Sequence, residues 1–147
     1  MRDSATSKED ARAISMALSV LDAFREVRAD MPATHIYSFL TVALEEGLGV
    51  HEYAHRAGIP QTTMTRHLLD LGSMDRKRQP GLGLLAQRMD PADLRKHQTF
   101  LTPAGRAVVN KVIRSMLTTR SRGLRSTTWN LKAATGSTTA RNSRSAG

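Results

Sequence analysis

Apolar positions along most of this chain recur at helical spacing, separated by short runs of turn residues. Ser7 and Asp10 approximate a capping box, and a helix is expected over residues 8–28. It carries two apolar stripes, Ile14, Leu18 and Leu21 on one side and Met16, Val20, Phe24 and Val27 on the other. Two stripes fit either a helix covered on two sides or one wide core face. Asp30-Met31-Pro32 interrupts the pattern. A second helix follows over 33–46, with Ile36, Phe39, Leu40, Ala43 and Leu44 inward and Gly47 at its end. After the extended Leu48-Gly49-Val50, residues 50–71 read as two short helices around Ala57-Gly58-Ile59-Pro60. Ala54 precedes the turn glycine by four, a spacing that suits a helix-turn-helix: a small residue lets the helices cross closely, and glycine takes the left-handed turn.

In the second of these helices Met64, Leu68 and Leu71 form one inward stripe. The opposite face carries Gln61, Thr62, Thr65, Arg66 and Leu69, with Thr63 at the N-terminal end. Short polar side chains and one Arg suit base edges and phosphates, although a plain solvated face has the same composition. Residues 72–83, GSMDRKRQPGLG, read as a mobile basic loop holding Arg76, Lys77 and Arg78. Strands at 84–89 and 97–102 with a charged tip at 90–96 read as a β-hairpin. Thr102-Pro103 then opens a helix over 103–117, with Thr as cap and Pro at the first position. Its broad apolar face (Val108, Val109, Val112, Ile113, Met116 and Leu117) has no unassigned partner in the chain, which points to a dimer through the N- and C-terminal helices.

Charge changes the picture more than composition does. Every one of the 13 acids lies in residues 1–93, alongside 11 Lys and Arg. Residues 94–147 hold the other 11 bases and no acid. Such asymmetry points to a polyanion, most simply nucleic acid, met by the C-terminal half. Residues 118–147 contain 12 Ser or Thr, and their large apolar residues are only Leu124, Trp129 and Leu131, too few to offset ordering entropy. The expected organisation is a winged helix-turn-helix and dimerisation domain at 1–117 and a disordered basic tail at 118–147. The absence of cysteine excludes disulfides and thiolate metal sites. With no apolar run of membrane length and no signal-peptide pattern, a cytoplasmic, nucleoid-associated protein is expected.

The order helix, helix, helix-turn-helix, hairpin, helix is that of a mainly α winged helix with a small β-hairpin. Residues 83–109, GLLAQRMDPADLRKHQTFLTPAGRAVV, resemble the wing of MarR-family transcriptional regulators. The family's D-x-R at the wing tip stands here as Asp93-Leu94-Arg95, and its L-T-x-x-G-R as Leu101-Thr102-Pro103-Ala104-Gly105-Arg106. Thr65-Arg66 in the recognition helix also matches, and the resemblance covers roughly residues 33–115. It implies a homodimer on double-stranded DNA, with recognition helices in successive major grooves and Arg95 in a flanking minor groove. By that match Asp93 orients Arg95, and Lys96 helps hold the wing. A narrow A·T-rich minor groove concentrates negative potential, so an Arg there reads shape. The chain departs from the family in a longer connector at 72–83, in His67 at a usually apolar position, and in lacking a counterpart of the last dimerisation helix within 118–147.

Other chemistry is weaker. His51-Glu52-Tyr53-Ala54-His55 fits the H-E-x-x-H zinc pattern, but the same residues carry the helix-turn-helix spacing and no third ligand is evident. Gly81-Leu82-Gly83 is no phosphate cradle, and no Ser-His-Asp arrangement stands out. No enzyme, metal or cofactor is expected, and nothing specifies a small-molecule effector. The leading expectation is a sequence-specific transcriptional regulator, a repressor on a palindromic operator, reading DNA through Gln61, Thr62, Thr63, Thr65, Arg66, Arg76, Lys77, Arg78, Arg95 and Lys96. The alternative is an architectural or replication-associated winged-helix binder driven mainly by charge.

Overall fold

A computed structural model describes residues 6–122, with side chains as far as Thr118. The elements run α1 (Lys8–Arg25), α2 (Ala33–Leu44), α3 (Val50–Ala57), α4 (Gln61–Leu71), β1 (Leu85–Met89), β2 (His97–Leu101) and α5 (Pro103–Arg122). The chain divides into two compact units, Asp22–Ile113 and the remainder (Met1–Leu21 with Arg114–Gly147). Among the described residues no helix is long and apolar enough to cross a membrane.

The remainder unit holds most of α1 and the end of α5. The Ser7–Asp10 box forms in both directions: the Asp10 N–H donates to Ser7 Oγ at 3.1 Å, and the Ser7 N–H to Asp10 Oδ2 at 3.2 Å. Ile14, Leu18 and Leu21 lie exposed on α1, as do Met116 and Leu117 on α5. α5 continues to Arg122, five residues beyond the expected end. Thr118 to Arg122 contain no Gly or Pro to stop it. The rest of the expected tail, residues 123–147 with Trp129, lies outside the described residues.

In the central unit, α1 ends at Arg25, three residues short of expectation, where the Val27 and Arg28 N–H groups both donate to the Phe24 carbonyl. Phe24 is fully buried and meets Phe39 edge to face at 5.5 Å. α2 buries Ile36, Ser38, Phe39 and Val42. The expected inward Leu44 instead points out, 87% exposed, because α2 ends there and Glu45 is already extended. Met64, Leu68 and Leu71 of α4 are buried as the periodicity requires, together with Tyr53 and Ala54 of α3.

β1 and β2 pair antiparallel from Leu85↔Leu101 to Met89↔His97. A third segment joins them. The Gly47 N–H donates to the Thr99 carbonyl at 2.8 Å, and the Thr99 N–H to the Leu48 carbonyl at 3.0 Å. The hairpin is therefore stitched to the α2–α3 junction through main chain. Thr102 secures its far end: its Oγ1 donates to the Gly83 carbonyl at 2.6 Å and accepts the Gly105 N–H at 3.1 Å.

Candidate nucleic-acid interface

The turn between α3 and α4 sets the angle of the second helix. Gly58 takes φ +66, and the N–H groups of Gly58 and Ile59 both reach back to the Ala54 carbonyl. Pro60 then begins α4, its carbonyl accepting the N–H groups of Thr63 and Met64 at 3.0 Å. At the start of α3, Glu52 accepts the Gly49 N–H at 2.9 Å, which is half of a capping box because glycine has no side chain to reciprocate. That use of Glu52, with His51 and His55 both exposed, gives the H-E-x-x-H residues a structural role in the turn motif.

This geometry presents Gln61, Thr62, Thr65 and Arg66 to solvent along one side of α4, with Thr63 half-buried. The Thr65 hydroxyl donates to the Gln61 carbonyl at 2.9 Å. Its methyl and its acceptor capacity remain outward, and its proton is held within the helix.

The wing tip is a closed turn. The Asp90 N–H donates to the Lys96 carbonyl and the Lys96 N–H to the Asp93 carbonyl, both at 2.8 Å. Asp90 Oδ1 accepts the Ala92 N–H at 2.9 Å. Asp93 Oδ1 accepts both the main-chain N–H of Arg95, at 3.1 Å, and its Nε–H, at 3.4 Å. The Arg95 side chain is 93% exposed, so its outer guanidinium nitrogens project from the tip. Lys96 is exposed beside it.

The connector differs from the mobile loop expected. Asp75 Oδ1 accepts the N–H groups of Lys77 and Gln79 at 2.8 Å each, and the Asp75 N–H donates to the Gln79 carbonyl. Met74 and Pro80 form an isolated antiparallel bridge. The chain then returns along the end of α4, with the Leu82 N–H on the Asp70 carbonyl at 3.0 Å and Leu84 on Leu71 at 2.8 Å. The result is a closed turn that carries Arg76, Lys77 and Arg78 exposed at its tip, with Arg78 in the left-handed region at φ +59.

Arg88 escapes the sequence reading. It lies on the same face of the hairpin as Phe100, diagonally across the register, with its guanidinium 5.2 Å from the ring centroid. Only the strand register reveals that pairing, since Arg88 alone reads as an ordinary solvated residue.

No family model matches the chain, and no curated protein does. Among solved structures, transcriptional regulator Tm0710 of Thermotoga maritima superposes with a TM-score of 0.58 at 19% identity, over 84% of each chain. The MarR-like transcriptional regulator tm0816 of the same organism gives 0.50 at 24% identity, over 74% of this chain and 73% of that one. S. aureus MepR, solved in complex with DNA, gives 0.57 at 17% identity, over 84% of this chain and 89% of that one. At such identities the shared property is the fold, and this chain has the winged helix-turn-helix fold of the MarR-like regulators.

Proposed function

We propose that this chain is a homodimeric, DNA-binding transcriptional regulator, a repressor that occludes a palindromic operator. The observation that carries this reading is the pairing of two presented surfaces. The exposed side of α4 offers Gln61, Thr62, Thr65 and Arg66, and the closed wing tip holds Arg95 outward by way of Asp93. In this reading α4 contacts base edges in the major groove, with Thr63 at its entrance. Arg95 enters the adjacent minor groove, and Lys96, Arg76, Lys77 and Arg78 bind phosphates. Arg88, braced on Phe100, joins the wing contacts.

The exposed Ile14, Leu18 and Leu21 on α1, with Met116 and Leu117 on α5, support self-association. A two-fold dimer would span half-sites about 34–36 Å apart. Selection of duplexes from a random pool, with the mass of the complex measured alongside, tests the reading. Enrichment of a palindrome bound by two copies is expected. Equal affinity for selected and random duplexes overturns it.

The run of 11 bases without an acid from residue 94 onward favours a second reading, a charge-driven architectural binder. Removing residues 123–147 separates the two. A regulator keeps its site preference and loses mainly non-specific affinity, whereas an architectural binder loses most of its binding.

A further inference from the structure

Two histidines that the proposed DNA face does not use lie together behind it. His67, on the inner side of α4, is only 8% exposed. His35 of α2 lies against it, with ring centroids 4.4 Å apart. Each ring has one polar partner among the described residues. Ser38 Oγ is 2.8 Å from His67 Nδ1 and also 3.0 Å from the Thr34 carbonyl oxygen. His35 Nε2 is 3.0 Å from Asp70 Oδ2, on the turn of α4 that follows His67. His35 Nδ1 is buried and has no hydrogen-bond partner among the described residues.

The charged groups around the pair are few. Asp70 comes from α4 itself. Arg28, from the turn after α1, pairs with Asp30 at 2.8 Å, and it borders a cleft with Asp70 and with Asp75 of the connector. Burial first, and the charge on His35 second, lower the His67 pKa from its ordinary 6.5, while Asp70 opposes them.

We propose that the His35–His67 pair makes the seating of α4 on α2, and with it the discrimination between DNA sequences, dependent on pH. The neutral pair holds the recognition helix in place, and a proton on the pair loosens it. This proposal rests on the DNA-binding reading of the same face.

Hydrogen-bond supply explains the asymmetry between the two states. Ser38 has one hydroxyl proton, which it gives either to the Thr34 carbonyl or to His67 Nδ1. A neutral His67 is satisfied in both arrangements. His35 Nδ1, buried without a partner among the described residues, gives the pair no further hydrogen-bonding capacity. A proton on His67 places a cation in the buried layer against the other ring. Because the seated His67 binds its proton less readily than a released one, seating is complete above about pH 6.5 and weakens as pH falls below it. Charge-driven affinity for any duplex moves the other way, since acidification adds positive charge to the protein. Loss of discrimination is thereby separable from a general change in binding.

The test is the affinity for a duplex selected near neutral pH divided by that for a scrambled duplex of the same length. It is measured at fixed salt from about pH 8 to about pH 5.5, the range in which imidazoles titrate. The ratio is expected to hold near neutrality and fall several-fold by the acid end. His67→Leu leaves Ser38 bonded to Thr34, and His35→Gln keeps a donor for Asp70, so both should fold, as checked by circular dichroism at each pH. In His67→Leu the ratio should stay level, and in His35→Gln its fall should shrink, since the burial of His67 remains. A level ratio in the unmodified protein, or an undiminished slope in the folded variants, overturns the proposal and leaves the DNA reading intact. Failure of every duplex to be preferred near neutral pH overturns both.

Discussion

Gly58 and Gly105 are glycine for different reasons, and their alanine variants should differ accordingly. At Gly58 a Cβ meets nothing within 4 Å, so the penalty is that of the left-handed φ alone, about 1–2 kcal/mol. At Gly105 a Cβ would collide with the main-chain oxygen of Leu84, which cannot move without breaking the Leu84–Thr102 hydrogen bond at the wing base. Denaturant midpoints should therefore show Gly105→Ala to be the more damaging. This is the physical content of the glycine in the L-T-x-x-G-R motif. Arg78 presents the reverse situation, a long side chain where glycine would fit better. Arg78→Gly relieves the steric penalty but enlarges the unfolded ensemble, so stability should change by less than about 1 kcal/mol. If Arg78 contacts a phosphate, the slope of log affinity against log salt should fall by about 1. Arg66→Ala should instead relax specificity at one base position, at roughly 1–3 kcal/mol, as read by competition among single-base operator variants.

At the scale of elements, the hairpin and the helix-turn-helix meet at Tyr53. Its hydroxyl donates to the Glu45 carbonyl at 2.8 Å and accepts the Leu48 N–H at 3.1 Å. Tyr53→Phe leaves both main-chain groups short of a partner and should cost about 1–3 kcal/mol in chemical unfolding. Burial raises the Tyr53 phenol above its ordinary 10.0, so the native protein keeps that proton when the unfolded chain gives it up. Stability from this group is whole below about pH 10 and is lost as pH climbs through the raised value. The phenylalanine variant should lack that alkaline loss. Helices, hairpin and turn were legible in the sequence because apolar period and glycine position are local signals. The closure of the connector was not, because it depends on one carboxylate, that of Asp75, and on the carbonyls left open at the end of α4. Leu44 misled for a similar reason: its spacing fits the α2 stripe, but the helix stops before the position acquires a neighbour. The His35–His67 contact joins residues from two separate elements, and no local pattern announces it.

At the scale of the molecule, the proposed function assigns affinity and assembly to different surfaces. Leu18→Glu places a charge in the exposed α1 stripe, away from α4 and the wing in sequence. Sedimentation should show a monomer, and binding to a palindrome should fall far more than binding to a half-site, since linkage of two sites is lost. The basic residues of the wing and connector predict steep salt dependence for both. One further consequence follows from the paired main-chain bonds between Thr99 and the Gly47–Leu48 segment. Those bonds, together with Tyr53, tie the hairpin to the base of the helix-turn-helix, much as the jaws of a caliper are locked at a set opening. If the chain reads DNA as proposed, set jaws leave the adjustment to the duplex. Base steps lying between the α4 contact and the wing contact, touched by no side chain, should then be selected for how readily they bend or compress. Their preferred sequences would record the stiffness of DNA and not the chemistry of its edges.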